Sequence, residues 1–351
     1  MLKKKKIPVL LWWLVINVAL LGSCLAAPVE NSFIRTPSML SPQGPVAAKI
    51  AGLSWFMIIL GGIIYIGVMI YFLYAIRGNR TYDFETELKN PNQGNSIVLT
   101  WGVGFTTLVL IVLFGSNVGT MRANHQILNR GEEFVIDIIG HQWWWEIRYV
   151  DPGFETANEI RIPVGQPVTL RLVTKDVIHS LWLPELSGKL DLLPNQVNEL
   201  VILADKTGEY WGECAEFCGT QHAKMQLMVI VQTEQEFAGW LESQQAVPDP
   251  PADELAFKGR EVFLGSACVY CHNITGTNAS GDLGPDLTHL ASRRTLGAGI
   301  LENTTGNLAG WIVDAQAIKP GNHMVFCCSQ EFPQNKHNRT LEMSMQGLAS
   351  M

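Results

Sequence analysis

The sequence predicts a multidomain membrane protein: a two-helix transmembrane hairpin, an all-β sandwich beyond it, and a small third domain after a linker. Three observations carry this. Two uncharged runs, "AGLSWFMIILGGIIYIGVMIYFLYAI" (about 51–76) and "SIVLTWGVGFTTLVLIVLFGSNVGT" (about 96–120), are each long enough to cross a bilayer as a helix. From Glu132 to Gln232 the pattern changes to short β-branched runs, "EFVIDIIG", "PVTLRLV", "VNELVIL" and "MQLMVIVQ", punctuated by Gly, Pro and Asn. After Gln245, "AVPDPPADE" has the Pro-rich, acidic composition of an extended linker.

Composition agrees. The 351 residues are 47% hydrophobic and include 11 Trp, more than a soluble protein usually carries. A formal net charge of -7 argues against nucleic acid as a partner, because phosphate binding needs clustered Lys and Arg, and suits a basic protein instead. Seven cysteines, an odd number, fall at Cys24, Cys214, Cys218, Cys268, Cys271, Cys327 and Cys328, and their paired spacing points to metal and cofactor chemistry before a disulfide framework.

Residues 1–27, with a basic start, an apolar core and then small residues, have the layout of a secretory signal. Within it "LGSC" resembles the lipobox of bacterial lipoproteins, which nominates Cys24 for lipidation; the alternative is cleavage after Ala26 or Ala27. Residues 28–122 form the hairpin. Arg77, Arg80 and Lys89 lie between its two helices, and the positive-inside rule puts such a loop in the cytoplasm. Everything after about Met121 is then expected on the outer face of a bacterial cell membrane, embedded by the two helices in the lipid bilayer.

Residues 123–245 form the predicted sheet domain. In "IGHQWWWEIRY", Trp143, Trp144 and Trp145 occupy consecutive positions, so on a strand Trp144 would face away from its neighbours, and at least one is expected to be exposed. Toward the domain's end stands "GECAEFCGTQHAKM". A disulfide between Cys214 and Cys218 would leave His222 and Met225 without a role. Zinc has little use for a thioether. Two thiolates, an imidazole and a thioether form a soft set suited to copper.

That stretch resembles the dinuclear copper A loop of cytochrome c oxidase subunit II at every ligand position. The resemblance implies a cupredoxin-like sandwich in which Cys214 and Cys218 bridge two copper ions, His222 and Met225 bind them, and Glu216 lends its backbone carbonyl. It takes the remaining ligand from a separate "D-x-x-H-S" context, here "KDVIHSLWLPEL", which nominates His179. It also implies that electrons enter at Trp143 and that the Glu216 side chain binds a magnesium ion at the border with subunit I, near Asp191.

Residues 246–324 carry a second signature. "CVYCH", Cys268 to His272, is the heme c attachment pattern, in which two thiols add to the heme vinyls and the adjacent His binds the iron. A thioether about fifty residues on would complete a high-potential site, and "KPGNHM" offers Met324. The context resembles bacterial class I cytochromes c, an all-α fold; it implies that Pro285 fixes His272 through the neighbouring backbone, and His323 is expected to face solvent. Residues 325–351 depart from that family. They show no sustained helical periodicity where a closing helix is expected, and Cys327 and Cys328 have no place in its pattern, which suggests a shifted reading frame or a divergent terminus.

Together these features resemble subunit II of a caa-type heme-copper oxidase. The resemblance implies a chain that takes electrons from cytochrome c or a similar donor through heme c and copper A. It would hand them to subunit I, in a complex that also holds subunit III, where oxygen is reduced to water and protons are translocated. No residue of this chain is then catalytic. A nitric oxide reductase with a copper A subunit is the alternative, because Val98 stands where oxidases often place a Glu before the Trp of the second helix, with Glu85 and Glu87 nearby only in the loop. A copper chaperone is the reading from another class; a covalent heme beside the copper set argues against it.

Overall fold

The computed structural model describes residues 37–78, 96, 98–128 and 134–324. Cys24, the signal, the loop carrying Arg80 to Lys89, and the tail 325–351 with Cys327 and Cys328 lie outside the described residues.

Helix α1 spans Pro45–Arg77. It starts before the uncharged run, because Pro45 has the φ a first helical position needs and lacks an N–H that would go unpaired there. Its first turns bury Val46, Ala47, Ala51 and Ser54, whereas Ile58, Ile59, Ile63, Ile66 and Ile70 further along are all exposed. An apolar helix left bare in this way is a lipid-facing surface. A π-helical segment, Val98–Phe105, leads into α2, Thr106–Leu128. Both helices are long and apolar enough to span a membrane.

A short joint ties α1 to the sandwich. The Gln43 N–H donates to the Glu185 carbonyl (2.7 Å), and the Gln43 carbonyl accepts from the Asp205 N–H (2.9 Å). Gly44 sits so close that a Cβ there would collide with the Leu203 carbonyl oxygen.

The sandwich holds ten strands: β1 Phe134–His141, β2 Trp144–Tyr149, β3 Phe154–Ala157, β4 Glu159–Pro163, β5 Val168–Thr174, β6 His179–Trp182, β7 Lys189–Leu192, β8 Asn198–Ile202, β9 Gly208–Cys214 and β10 Gln226–Gln232. One sheet runs β3-β2-β1-β5-β8, the other β4-β10-β9-β6-β7, with β1·β5 and β10·β4 parallel and the rest antiparallel. Period-two alternation explains the core: Ile136 and Ile138 on β1, Ile147 and Tyr149 on β2 and Leu170 and Leu172 on β5 point inward and are at most 1% exposed. Helix α3, Glu234–Gln245, begins with a Thr233/Glu236 capping box and covers one end with Phe237 and Trp240.

The three tryptophans depart from the expectation. Trp143 lies in the turn between β1 and β2, not on a strand, and is 7% exposed; Trp145 is fully buried; Trp144 is half-buried and stacks on His141 at 4.4 Å. None is fully exposed, because later residues of the chain cover Trp143.

Beyond α3 a C-terminal module contains α4 Glu254–Leu264, a 3-10 turn Ala267–Tyr270, a small ribbon of β11 Thr295–Leu296 with β12 Leu301–Glu302, and α5 Thr305–Ile318. Phe263, Ile274, Leu290, Leu296 and Leu308 form its own small core. It docks on the sandwich through polar contacts. The buried Glu159 carboxylate accepts from Arg294 N–H (2.7 Å), Thr295 N–H (2.6 Å) and Thr295 Oγ1 (2.9 Å), and Gln226 N–H donates to the Ala298 carbonyl (3.0 Å).

Candidate metal centre

Three strand ends bring the site together. β6 opens on His179, β9 closes on Cys214, and β10 starts one residue after Met225. The Cys214 N–H donates to the Met225 carbonyl (2.9 Å) and the Ala215 N–H to the Ser180 carbonyl (2.9 Å), so the loop between β9 and β10 is held against β6. The sandwich walls it: His179 and Met225 are 0% exposed, Cys218 2% and Cys214 6%.

The two thiols stand 3.7 Å apart, far beyond the roughly 2.05 Å of a disulfide, and both cysteines are free. His179 Nδ1 lies 3.7 Å from Cys214 Sγ, and His222 Nδ1 lies 3.7 Å from Cys218 Sγ. Met225 Sδ is 3.9 Å from Cys218 Sγ, and the Glu216 carbonyl oxygen is 3.2 Å from Cys214 Sγ. Ligands each about 2.3 Å from a shared ion at a tetrahedral angle are about 3.7 Å apart, so these separations suit a metal between them. His179, Cys214 and Cys218 alone place their ligand atoms within 4.8 Å of one another. One imidazole stands at each thiol, with the thiols in the middle.

The surroundings tune this set. Burial works against an ion on the His179 ring, but hydrogen bonds to Asp176 and Cys214 outweigh it and raise its pKa. The Asp176 carboxylate accepts from His179 Nε2 (2.9 Å), which leaves Nδ1 as the lone pair facing Cys214. Gly140 makes room for that ring, since a Cβ there would stand 2.9 Å from His179 Cδ2. The hydrogen bond between the thiols pulls Cys214 down to about 3 and pushes Cys218 up, so Cys214 is the readier thiolate of the two. The Cys218 carbonyl accepts from Trp143 Nε1 (2.9 Å) and Gln142 Nε2 (2.7 Å), fixing the loop's crest.

Asp176 supplies a test. Burial opposes its charge, but hydrogen bonds from His179 and from the Gln142 and Val177 N–H groups prevail and lower its pKa. A depressed carboxylate stabilises the fold above its unfolded pKa of about 3.9, and that contribution is lost as pH falls through the folded value. Asp176→Asn is expected to flatten the acid side of the metal-free stability curve and to weaken metal binding by about 10–100-fold, measured by chemical denaturation at several pH values and by metal competition.

The second nominated site lies in the C-terminal module. Cys268 and Cys271 are free and half-buried, Cys268 as the second residue of the 3-10 turn and Cys271 as the residue directly after it. His272 Nδ1 donates to the Pro285 carbonyl (2.7 Å), so its Nε2 carries the lone pair, and burial lowers its pKa and keeps the ring neutral. A Cβ on Gly284 would stand 2.7 Å from His272 Cε1. Met324 ends the described residues, with its N–H donating to Asn322 Oδ1 (2.7 Å) and its carbonyl accepting from Gln316 (2.9 Å). His323 is exposed, as expected, but its ring lies 5.5 Å from that of Trp143. Elsewhere, Glu216 is exposed on the loop and Asp191 is half-buried on β7, opposite Ser180.

The family model "Cytochrome C oxidase subunit II, periplasmic domain" matches residues 152–233. Cytochrome c oxidase subunit 2 of Alkalihalophilus pseudofirmus is 34% identical over 289 residues, covering 81% of this chain and 84% of that protein. The chain belongs to the cytochrome c oxidase subunit II family. It is accordingly a subunit of a heme-copper oxidase, an oxidoreductase complex. The Bacillus subtilis subunit 2 is 29% identical over 329 residues, 89% of this chain and 91% of that one. The solved periplasmic domain of subunit II from Bradyrhizobium japonicum shares 31% identity over 34% of this chain and 96% of its own, with a TM-score of 0.33. A subunit II with two apolar helices and a periplasmic domain fits a membrane-anchored protein whose sandwich lies on the outer face.

Residue types, spacing and the family resemblance nominated the ligands but left out their supports. Asp176 stood in the quoted "D-x-x-H-S" context, which could have named it as the partner of His179. Gly140 and Gln142 had no sequence signal, since their roles depend on long-range contacts.

Proposed function

We propose that this chain is the subunit through which electrons reach a terminal oxidase, holding copper A in the sandwich and a covalent heme c in the C-terminal module. One observation carries the copper reading: two free thiols 3.7 Å apart, each with its own imidazole at 3.7 Å, and a thioether and a backbone carbonyl completing the set. These six residues, His179, Cys214, Glu216, Cys218, His222 and Met225, would hold copper A. Copper A and heme c, when bound, supply one-electron oxidation and reduction without bond making.

The chain's residues do the rest. Buried strand ends hold the copper ligands against rearrangement, and Asp176 fixes the His179 tautomer. Cys268 and Cys271 would attach the heme, and His272 Nε2 and Met324 would be its iron ligands; the pinned His272 tautomer and the side-chain-free space at Gly284 support this. Trp143, hydrogen-bonded to the Cys218 carbonyl, is the aromatic through which electrons would arrive. The exposed Glu216 carboxylate, with Asp191, would hold magnesium against subunit I. Subunit III, a cytochrome c donor and lipidation of Cys24 complete the proposal, with domains as bounded from the sequence.

Family membership favours oxygen over nitric oxide as the final acceptor. Electron paramagnetic resonance of the purified complex should show one spin shared over two coppers, and a pyridine hemochrome assay should show one heme c per chain. A mononuclear copper spectrum would sink the copper reading, and consumption of nitric oxide but not oxygen would sink the oxidase reading.

A further inference from the structure

The copper loop and the end of the C-terminal module are laced together at one place. The Gln221 amide donates to the Pro320 carbonyl, and Lys224 Nζ donates to the Ile318 carbonyl (2.8 Å). Lys319, the residue after α5, sends its Nζ the other way, to the carbonyls of Trp143 (2.7 Å) and Gly297 (2.9 Å).

Lys319 is 2% exposed, and the charged groups that act on it are Cys218 and Lys224, with no carboxylate among them. A buried ammonium with no carboxylate beside it is costly, and an apolar side chain would fill the space without that cost. What the lysine does that an apolar residue does not is grip two backbone carbonyls on separate parts of the chain. Trp143 then donates its indole N–H to the Cys218 carbonyl (2.9 Å), so an unbroken line runs from Lys319 through Trp143 to a copper-loop thiol residue. Trp143 is 7% exposed, and the His323 ring lies 5.5 Å from it. Burial also lowers the Lys319 pKa, to about 7, as expected of a cation held without an acid.

We propose that Lys319 is a positioning residue for electron transfer: it pins the C-terminal module on Trp143, so that outside donors cannot touch Trp143 and electrons reach it only through the module. The inference rests on the reading of that module as heme-bearing and of Trp143 as the receiving aromatic. In the step it serves, the module's heme loses one electron and the copper pair gains one, and Lys319 exchanges neither proton nor bond.

The test uses the purified oxidase complex with the full chain, as wild type, Lys319→Met and Lys319→Gln. Hydroxyl-radical footprinting read by mass spectrometry reports the accessibility of Trp143 without requiring turnover. Flash photoreduction of the heme reports the rate at which the copper pair is reduced. In wild type Trp143 is expected to be protected while Tyr270, 75% exposed, is labelled. In Lys319→Met, labelling of Trp143 is expected to rise several-fold and transfer to slow by about tenfold or more, the scale on which ångström misplacements act. The heme and copper spectra should stay unchanged, which a general loss of structure would not allow, and Lys319→Gln should fall between.

Unchanged labelling and rate in Lys319→Met would overturn the proposal. If that variant does not accumulate, the same result in Lys319→Gln overturns it, and so does wild-type Trp143 labelled as fast as Tyr270. A wild-type complex without the shared-spin copper signal or without heme c refutes the underlying reading instead, a distinct and separately visible outcome.

Discussion

Cys214→Ser is expected to abolish the shared-spin copper signal and to cut oxidase turnover with cytochrome c by more than the roughly 10–100-fold that loss of an outer-shell partner costs a metal site. Cys214 Sγ lies 3.7 Å from both His179 Nδ1 and Cys218 Sγ, so in the proposed centre its thiolate would be the ligand on the His179 side. A serine oxygen is a harder donor and a poor bridge between soft ions. The same change buries a hydroxyl in place of a thiol that is 6% exposed, at a cost of about 1–3 kcal/mol unless it finds a partner. Circular dichroism should therefore still show the sheet, with a lower melting temperature, while resonance and metal analysis show the pair gone. A variant that kept the shared spin would remove Cys214 from the ligand set.

Trp145→Ala should lower the stability of the sandwich by about 3–5 kcal/mol, the range for deleting a large buried aromatic. Trp145 is fully buried on β2, and its ring meets His179 edge-on at 5.9 Å. The cavity would therefore open beside a proposed ligand as well as in the core. Denaturant melts of metal-free and copper-loaded protein separate the two effects. A purely structural loss lowers both curves equally, whereas loss of support for His179 lowers the loaded form further. A change below about 1 kcal/mol would show that neighbouring side chains close the gap.

Much of the site was legible because metal chemistry constrains residue type and local spacing together. Cys214, Cys218, His222 and Met225 fall on one loop, and the sequence alone distinguishes a soft set from a zinc set. His179 needed a separate motif, and the antiparallel pairing of β6 with β9 explains why a residue so far away in sequence arrives at Cys214. The ten-strand sandwich was readable as alternation but not as two sheets, since the parallel pairings β1·β5 and β10·β4 leave no local mark. The π-helical start of the second apolar helix was also invisible: Val98–Phe105 lacks charge on every face, so no periodicity distinguishes its winding. Trp143 was placed on a strand because its neighbours are strand formers. Its backbone carbonyl accepts from Lys319, 176 positions away, and no local pattern carries that information.

The joint at Gln43 and Gly44 bears on how the protein meets its membrane. The exposed part of helix α1, residues 55–77, is about 35 Å long, somewhat over the roughly 30 Å thickness of a bilayer's hydrocarbon core. A span of that length adapts to a thinner membrane by leaning. Because two backbone hydrogen bonds and a glycine without room for a side chain lock its upper end to the sandwich, the lean is passed on as a tip of the whole outer domain. Bilayer thickness thereby becomes a mechanical setting on the angle at which the metal loop faces its neighbour in the membrane.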